Sequence, residues 1–211
     1  MAFDSVTQKA GAVPAFWGRY IVGNYTITSA EAAYLHSKGC KILLVSNGPK
    51  NSGSSVQGGF AEGQADGNAA ADAAAQALSV PAGVALYADI EGSWAVTSDW
   101  LRGWATAVTQ RGFVSGFYGD CTPTSTFAQA YCVAQATEPT VTGSLLWSME
   151  PEPGTPCQAA GAAPSYAPAA PSCGGSVVLW QYTEECWEDT LGTNAGIDMD
   201  LAMDAAISVM W

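Results

Sequence analysis

Short apolar runs recur along the chain, and segments with helical spacing separate most of them. Runs of this length that are rich in Val, Ile, Leu, Tyr and Trp are typical of buried strands. Strands that alternate with helices favour a parallel sheet with crossover connections. The eight candidate strands are Ala2–Val6, Phe16–Val22, Lys41–Asn47, Val84–Glu91, Val114–Gly119, Ser144–Met149, Val177–Tyr182 and Gly196–Leu201.

Several segments between these runs carry the start and stop signals of helices. A capping box, Thr28-Ser29-Ala30-Glu31, opens a helix that Gly39 ends. An Ala-rich segment with early acidic residues and a segment that begins at Thr97 are also predicted as helices. The predicted ranges are Glu62–Leu78, Thr97–Arg111 and, with a weaker signal, Thr124–Ala136. We expect a long ordered loop over Pro151–Gly175, which is rich in Pro, Ala and Gly.

The order of these elements predicts an α/β fold, a (β/α)8 TIM-type barrel made irregular by short or missing helices. Eight strands in 211 residues is at the lower end for such a barrel. We expect residues 1–211 to form a single domain. An open doubly wound sheet is the alternative, and in both folds ligands bind beyond the carboxyl ends of the parallel strands.

The composition and charge of the chain limit the classes of binding partner that we expect. The net charge is −12 and only seven residues are Lys or Arg, so nucleic acid and anionic membranes are disfavoured. No apolar run approaches the roughly 20 residues that span a bilayer, and the start of the chain lacks the pattern of a signal peptide. Six cysteines without a CxxC pair favour disulfides in a secreted or extracytoplasmic protein, reached by a removed signal or another export route. The pairing is not deducible, although a Cys157–Cys173 bridge would close the Pro-rich loop.

The fourth candidate strand ends in two acids, Asp89 and Glu91, spaced i and i+2. This spacing puts both side chains on one face of a strand, with Cα atoms about 7 Å apart. Two carboxyl groups in this range can flank one glycosidic bond. A solvated strand end or a helix cap is the plainer interpretation of two such acids.

Acids on other candidate strands favour the catalytic interpretation of Asp89 and Glu91 over the plainer one. Asp4 lies in the first candidate strand, and Asp198 and Asp200 lie in the last, which neighbours the first in a closed barrel. Carboxylates held together raise one another's pKa, so one can stay protonated as a general acid. We expect Glu91 to be that acid and Asp89 to orient it or the attacking group.

Aromatic residues fall at the same strand ends: Tyr118, Trp147, Trp180 and Tyr182. Such side chains stack on sugar rings, and core packing is the competing interpretation for each of them. Gln181 points to the opposite face from Trp180 and Tyr182, so only one of these two faces can line a barrel interior. The remaining candidates for contact with substrate are Asp200, Arg19 and Asn47.

Other chemistries are disfavoured. The single histidine, His36, lies within a predicted helix, where we expect a surface position away from the strand ends. Catalytic triads and His-rich zinc centres need imidazole groups at the site. The Gly-rich segment 51–59 lacks the motif of a phosphate loop, and we expect a mobile rim loop there. A carboxylate basin can also bind Ca²⁺ or Mg²⁺, but we predict no required metal or cofactor.

The strand-end motifs together resemble those of two related families. They resemble glycoside hydrolase family 25 lysozymes and, more closely, the glycoside-hydrolase-like domain of unknown function 1906. The segments Arg19-Tyr20, Ile27-Thr28 before a helix with Glu31, and Gly39 to Val45 carry the second resemblance. The motifs shared by both are Phe3-Asp4-Ser5-Val6-Thr7-Gln8, Tyr87-Ala88-Asp89-Ile90-Glu91, Leu146-Trp147, Leu179-Trp180-Gln181-Tyr182-Thr183 and Ile197-Asp198-Met199-Asp200.

The lysozyme resemblance implies hydrolysis of the β-1,4 bond after N-acetylmuramic acid. It implies Glu91 as general acid, with Asp89, Asp198 and Asp4 as further carboxylates, and the substrate's N-acetyl group as a nucleophile. The chain departs from the lysozyme pattern at Ile197-Asp198-Met199-Asp200 and at Met149-Glu150-Pro151. From the resemblance we expect a glycosidase that acts on peptidoglycan or a related amino-sugar polymer, and we expect it to be a monomer. A catalytically inactive carbohydrate-binding barrel and an effector or toxin acting on another glycan are the alternatives.

Overall fold

Seven strands form one curled sheet in the computed structural model, which describes residues 2–153, 163–186 and 196–211. The strands are hydrogen-bonded in sequence order, and each pair from the first to the sixth strand is parallel. The seventh strand is antiparallel to the sixth. The strands are β1 (Phe16–Val22), β2 (Lys41–Ser46), β3 (Ala85–Asp89), β4 (Val114–Gly119), β5 (Leu145–Ser148), β6 (Ser176–Cys186) and β7 (Ile197–Ala202).

Two helices begin at caps that the sequence predicts, Thr28 and Thr97, and a third begins after Ser125 where the prediction placed Thr124. Side chains of Thr28, Thr97 and Ser125 each accept a hydrogen bond from a backbone N–H in the first turn of the next helix. A π-helical turn, Ala73–Ala77, continues the third helix. The helices are α1 (Ala2–Ala10), α2 (Ser29–Ser37), α3 (Phe60–Asp72), α4 (Ser98–Gln110), α5 (Thr126–Gln135), α6 (Pro139–Thr142) and α7 (Asp204–Ile207).

The expected first strand, Ala2–Val6, was wrong, because this segment is part of helix α1. Its two buried apolar residues, Phe3 and Val6, are spaced i and i+3 and share one face of the helix. The Phe3 ring packs edge-on against Trp17 of β1 and Tyr34 of α2. A five-residue run is too short for its hydrophobic pattern to distinguish a strand from a helix.

The prediction of a closed eight-stranded barrel was also wrong, because β1 and β7 do not pair. The sheet is a half-barrel, and α1 lies where an eighth strand would close it. Val6 of α1 belongs to an apolar cluster that also contains Trp17 of β1 and Ile197 and Met199 of β7. A helix thus covers the space between the two edge strands.

The inner face of the sheet is filled at one end and carries polar groups at the other. The C-terminal segment closes the end where the parallel strands begin: Ala85 donates to the Val209 carbonyl (2.8 Å) and Ile42 to that of Trp211 (2.9 Å). Ala206 and Met210 are buried against Leu43 and other inner-face residues. The end that this segment leaves uncovered lies at the carboxyl ends of β1 to β6. Because β7 is antiparallel, its first residues lie at that same edge.

One disulfide joins Cys132 to Cys173, across 41 positions of the sequence. A Cys157–Cys173 bridge was therefore wrong, since Cys132 at the end of α5 is the partner. Cys157 lies outside the described residues, and Cys186 is disulfide-bonded. Cys40 and Cys121 are buried free thiols. Among the helices that the structure describes, none is long and apolar enough to cross a membrane.

Candidate functional site

Asp89 is the last residue of β3 and its carboxylate is buried, with 4% of the residue exposed. It accepts a hydrogen bond from Nδ2 of Asn47 (2.9 Å) at the end of β2, and the nearby Tyr20 hydroxyl of β1 lowers its pKa. Burial, followed by the charge of Glu91, raises the pKa of Asp89 to about 7. These partners fix the position of a carboxyl group that can hold a proton near neutral pH.

Glu91 follows two residues after Asp89 and is exposed at the edge of the sheet. Its charge acts directly on Asp89, as the i, i+2 spacing predicts for two side chains on one face. Neighbouring protein atoms, which displace part of the water around this carboxyl group, and then the nearby Asp198 carboxylate raise the pKa of Glu91. Glu91 thus combines access to a ligand with a raised proton affinity.

Two carboxylates of β7 complete the acidic group. Asp198 accepts a hydrogen bond from the Glu185 backbone (3.0 Å), and partial burial raises its pKa. Asp200 accepts one from Nε1 of Trp147 (2.8 Å) on β5, and burial raises the pKa of Asp200 to about 8. The antiparallel direction of β7 brings both residues to the edge where Asp89 lies.

The inner face beneath these acids is aromatic. The ring centres of Tyr118 on β4 and Tyr87 on β3 lie 4.6 Å and 6.0 Å from that of Trp147 on β5. The Tyr118 hydroxyl donates to Oε1 of Gln181 on β6. Tyr118, Trp147 and Gln181 are each less than one-tenth exposed. They form a buried aromatic and amide floor below the carboxylates.

The face of β6 that carries Trp180 and Tyr182 is the outer one, so their predicted place in the basin was wrong. Nε1 of Trp180 donates to the Pro151 carbonyl (3.0 Å), and its ring packs against Tyr166 and Tyr182. The alternation along a strand assigns the inner face to Gln181 instead.

Arg19 and Asp4 also lie away from the other candidates. Arg19 forms a two-pronged ion pair with Glu31 of α2, with N–O distances of 2.7 and 3.2 Å, on the helix side of the sheet. Asp4 lies on α1, where it accepts a hydrogen bond from Tyr34 of α2 that lowers its pKa. The expected convergence of Asp4 with Asp89 rested on a strand that is not there. His36 is exposed, as predicted, beside the Trp211 ring.

Three residues near the site were not among the predicted site residues: Tyr20, Lys50 and Glu184. Tyr20 lowers the pKa of Asp89, while Glu184 on β6 interacts with both Asp198 and Glu91. Nζ of Lys50 donates to Oδ1 (2.8 Å) and to the backbone oxygen (3.0 Å) of Asn47. Its positive charge lowers the pKa of Asp89 against the larger effect of burial. The alternation of side chains along β1 is consistent with Tyr20 on the inner face and could have identified it. No pattern in the loop sequence identifies Lys50 as a site residue.

The Gly-rich segment after β2 was expected to be a mobile rim loop, and the structure shows it tied to the helical layer. Val56 is fully buried, donates to the Lys50 carbonyl (3.1 Å) and accepts from Thr97 at the start of α4 (2.9 Å). Within the loop, Nε2 of Gln57 donates to Oδ1 of Asn51 (2.7 Å). Within the described ranges, no three His, Cys, Asp or Glu side chains are arranged to hold a metal ion.

Known proteins share this architecture. The chain matches the family model for the Rv2525c-like, glycoside hydrolase-like domain over residues 11–202. A 1.07 Å crystal structure of an uncharacterized B. stearothermophilus protein is 30% identical, with a TM-score of 0.84 over 100% of this chain and 93% of that one. No curated protein sequence matches significantly.

Two more distant structures share the fold alone. The Mycobacterium tuberculosis Tat-secreted protein Rv2525c, crystallised with L-tartrate, is 19% identical, with a TM-score of 0.62 over 95% of this chain and 90% of that chain. The bacterial lysozyme from Streptomyces coelicolor is 15% identical, with a TM-score of 0.55 over 97% and 89%. Because the family model covers nearly the whole chain, the protein belongs to the Rv2525c-like glycoside hydrolase-like domain family.

Proposed function

We propose that this protein is a glycoside hydrolase that cleaves peptidoglycan or a related amino-sugar polymer by carboxylate acid–base catalysis. The observation that carries the proposal is the pair Asp89 and Glu91 at the carboxyl end of β3. One carboxyl group is buried and accepts a hydrogen bond from Asn47, and the other is exposed with a raised pKa. General acid catalysis needs a group that can hold a proton and reach the substrate, and Glu91 is exposed and has a raised pKa.

In the proposed reaction Glu91 gives its proton to the glycosidic oxygen as the bond to the anomeric carbon breaks. The carbonyl oxygen of the substrate's own N-acetyl group attacks that carbon, and water then opens the cyclic intermediate. The ionised Glu91 accepts a proton from this water, which restores the starting state. A retained configuration follows from two displacements at one carbon.

Asp89 is suited to orient the attacking group. Asn47 holds one oxygen of its carboxylate, so the other oxygen can accept a hydrogen bond from the N–H of the acetamido group in a fixed direction. Asp198 supports Glu91 by raising its pKa. We assign Tyr118, Trp147, Gln181 and Asp200 to the floor that positions the sugar.

We also propose an extracytoplasmic location and a monomeric, single-domain protein. The Cys132–Cys173 disulfide supports the location, since such bonds persist in oxidising compartments. The structurally similar Rv2525c is described as Tat-secreted. The strong negative charge is compatible with a glycan partner and disfavours nucleic acid.

The test is release of reducing ends from purified peptidoglycan, with chitin-type oligomers as a second substrate. Glu91→Gln keeps the size of the side chain but cannot donate the proton, so we expect it to lose turnover and keep glycan binding. Asp72→Asn is the matched control, because Asp72 pairs with Arg111 on the helical surface. Binding without release by the wild type would overturn the proposal in favour of a carbohydrate-binding barrel.

A further inference from the structure

We infer that Asp66 and Ser55 are positioning residues that hold Lys50 against Asn47 and thereby set the orientation of the Asn47 amide toward Asp89. The inference rests on the proposed function only for its link to catalysis. The contacts themselves form a continuous chain from the helical layer to the carboxylate of β3.

The chain of contacts starts in the packing of α3 against α4. A Cβ atom on Gly63 would lie 2.1 Å from the Trp100 carbonyl oxygen, so only glycine permits this approach. Oδ2 of Asp66 on α3 accepts from Nε1 of the fully buried Trp100 (2.9 Å). The same oxygen accepts from the hydroxyl of Ser55 (2.6 Å) in the loop after β2. One carboxylate therefore joins both helices to this loop.

Ser55 connects Asp66 to the backbone of Lys50 through two hydrogen bonds. Its Oγ accepts a hydrogen bond from the Lys50 backbone N–H (2.8 Å), and Ser55 is 4% exposed. A hydroxyl that donates to a carboxylate and accepts from an amide has its orientation fixed by both. The backbone of Lys50 is thus held where the side chain can reach Asn47.

Lys50 then determines which way the Asn47 amide points. An ammonium group can only donate, so it selects Oδ1 of Asn47, at 2.8 Å. The amide nitrogen is left to donate to Oδ2 of Asp89, at 2.9 Å. A reversed amide would point an oxygen at the carboxylate and repel its ionised form. By holding Lys50 in place, Ser55 and Asp66 therefore favour the ionised form of Asp89, both through the charge of Lys50 and through the amide donor of Asn47.

The charged and titratable groups facing Asp89 come from several elements. Tyr20 of β1 and Lys50 lower the pKa of Asp89, and Glu91 raises it. Tyr118 of β4 also interacts with Asp89. The hydrogen bonds of Ser55 and Asp66 run to Lys50 and Trp100 and not to Glu91 or these tyrosines, so we expect a change in the Asp89 titration to report on Lys50 and Asn47.

The test is the titration of the Asp89 carboxyl carbon, followed by ¹³C NMR in the full chain. Ser55→Ala and Asp66→Ala should shift the titration of Asp89 to higher pH, in the same direction as Lys50→Met. Asp66→Asn removes the same charge but keeps an acceptor oxygen, so it should shift the titration less than Asp66→Ala. Asp72→Asn, a charge change elsewhere on α3, should leave it unchanged.

A second measurement needs no variant. The Lys50 amide of the wild type should exchange its hydrogen slowly, because Ser55 accepts its bond inside a tied loop. Exchange as fast as in an open loop would overturn the inference, and so would an Asp89 titration that Ser55→Ala and Asp66→Ala leave in place. Absence of glycan hydrolysis would instead overturn the proposed function and leave these two results standing.

Discussion

The indole nitrogen of Trp147 on β5 donates a 2.8 Å hydrogen bond to the Asp200 carboxylate on β7, across the intervening strand β6. The donor compensates only part of the cost of burying a charge, because the pKa of Asp200 is still raised to about 8. The hydrogen bond from Trp147 explains how the Asp200 carboxyl group can lie beside the aromatic floor.

Replacing Asp200 with Asn should therefore stabilise the protein in alkaline solution. Asp200 releases its proton at about pH 3.9 in the unfolded chain but at about pH 8 in the fold. The free energy of unfolding consequently falls as pH rises through this window. Asp200→Asn keeps an acceptor for Trp147 and should be more stable than the wild type by a few kcal/mol at about pH 9, with little difference at about pH 4. Thermal unfolding at the two pH values measures this, and an equal difference at both would contradict the assignment.

Removing the Asp198 charge should change the pH dependence of hydrolysis. Asp198 raises the pKa of Glu91, so Asp198→Asn should lower that pKa. Glu91 would then lose its proton at lower pH, and the alkaline limb of the kcat/KM profile should move down. Asp72→Asn serves as the control for a change in net charge. An alkaline limb that stays in place would show that Asp198 does not act on the proton donor.

The bond between Tyr118 and Gln181 should be a measurable part of the floor's stability. Tyr118→Phe leaves Oε1 of Gln181 without its donor, which typically costs about 1–3 kcal/mol for a buried group. A double-mutant cycle with Gln181→Met isolates the pairwise energy, since the second change removes the unpaired group. Additive losses in urea unfolding would mean that the two side chains are not coupled.

The Cys132–Cys173 bridge should contribute substantially to folding stability. Closing a loop over 41 positions corresponds to about 4 kcal/mol in the chain-entropy model. We expect a Cys132→Ser, Cys173→Ser double variant to unfold at a correspondingly lower urea concentration. Peptide mapping of the wild type should recover the 132–173 linkage, and a 157–173 linkage would contradict the structure.

Local sequence signals predicted much of this fold because they depend on neighbouring residues. The caps at Thr28 and Thr97 and the run that ends in Asp89 and Glu91 need only nearby positions to be recognised. The raised proton affinity at β3 followed from two acids at the end of a buried strand. Thr28 and the run that ends in Asp89 and Glu91 are also among the motifs that carried the family resemblance.

Long-range relationships were the parts that sequence reasoning missed. Ala2–Val6 fits a strand or a helix equally well, and only its packing against Trp17 shows which one forms. The same packing decides that the sheet stays open. Whether Trp180 or Gln181 faces inward depends on the register of β6, which an alternating pattern leaves undetermined. Lys50 acts on Asp89 through a loop whose course is set by Asp66 and Ser55.

The most direct test of the central claim measures the rates of the wild type and of Glu91→Gln on two substrates. The leaving group of one of them needs no proton. On a natural amino-sugar oligomer the variant should lose about 10²–10⁴-fold in rate, the usual contribution of a general acid. On an aryl glycoside of the same sugar with a dinitrophenolate leaving group, it should retain most of the wild-type rate. An equal loss on both substrates, or no loss on the oligomer, would contradict the role of Glu91 as proton donor.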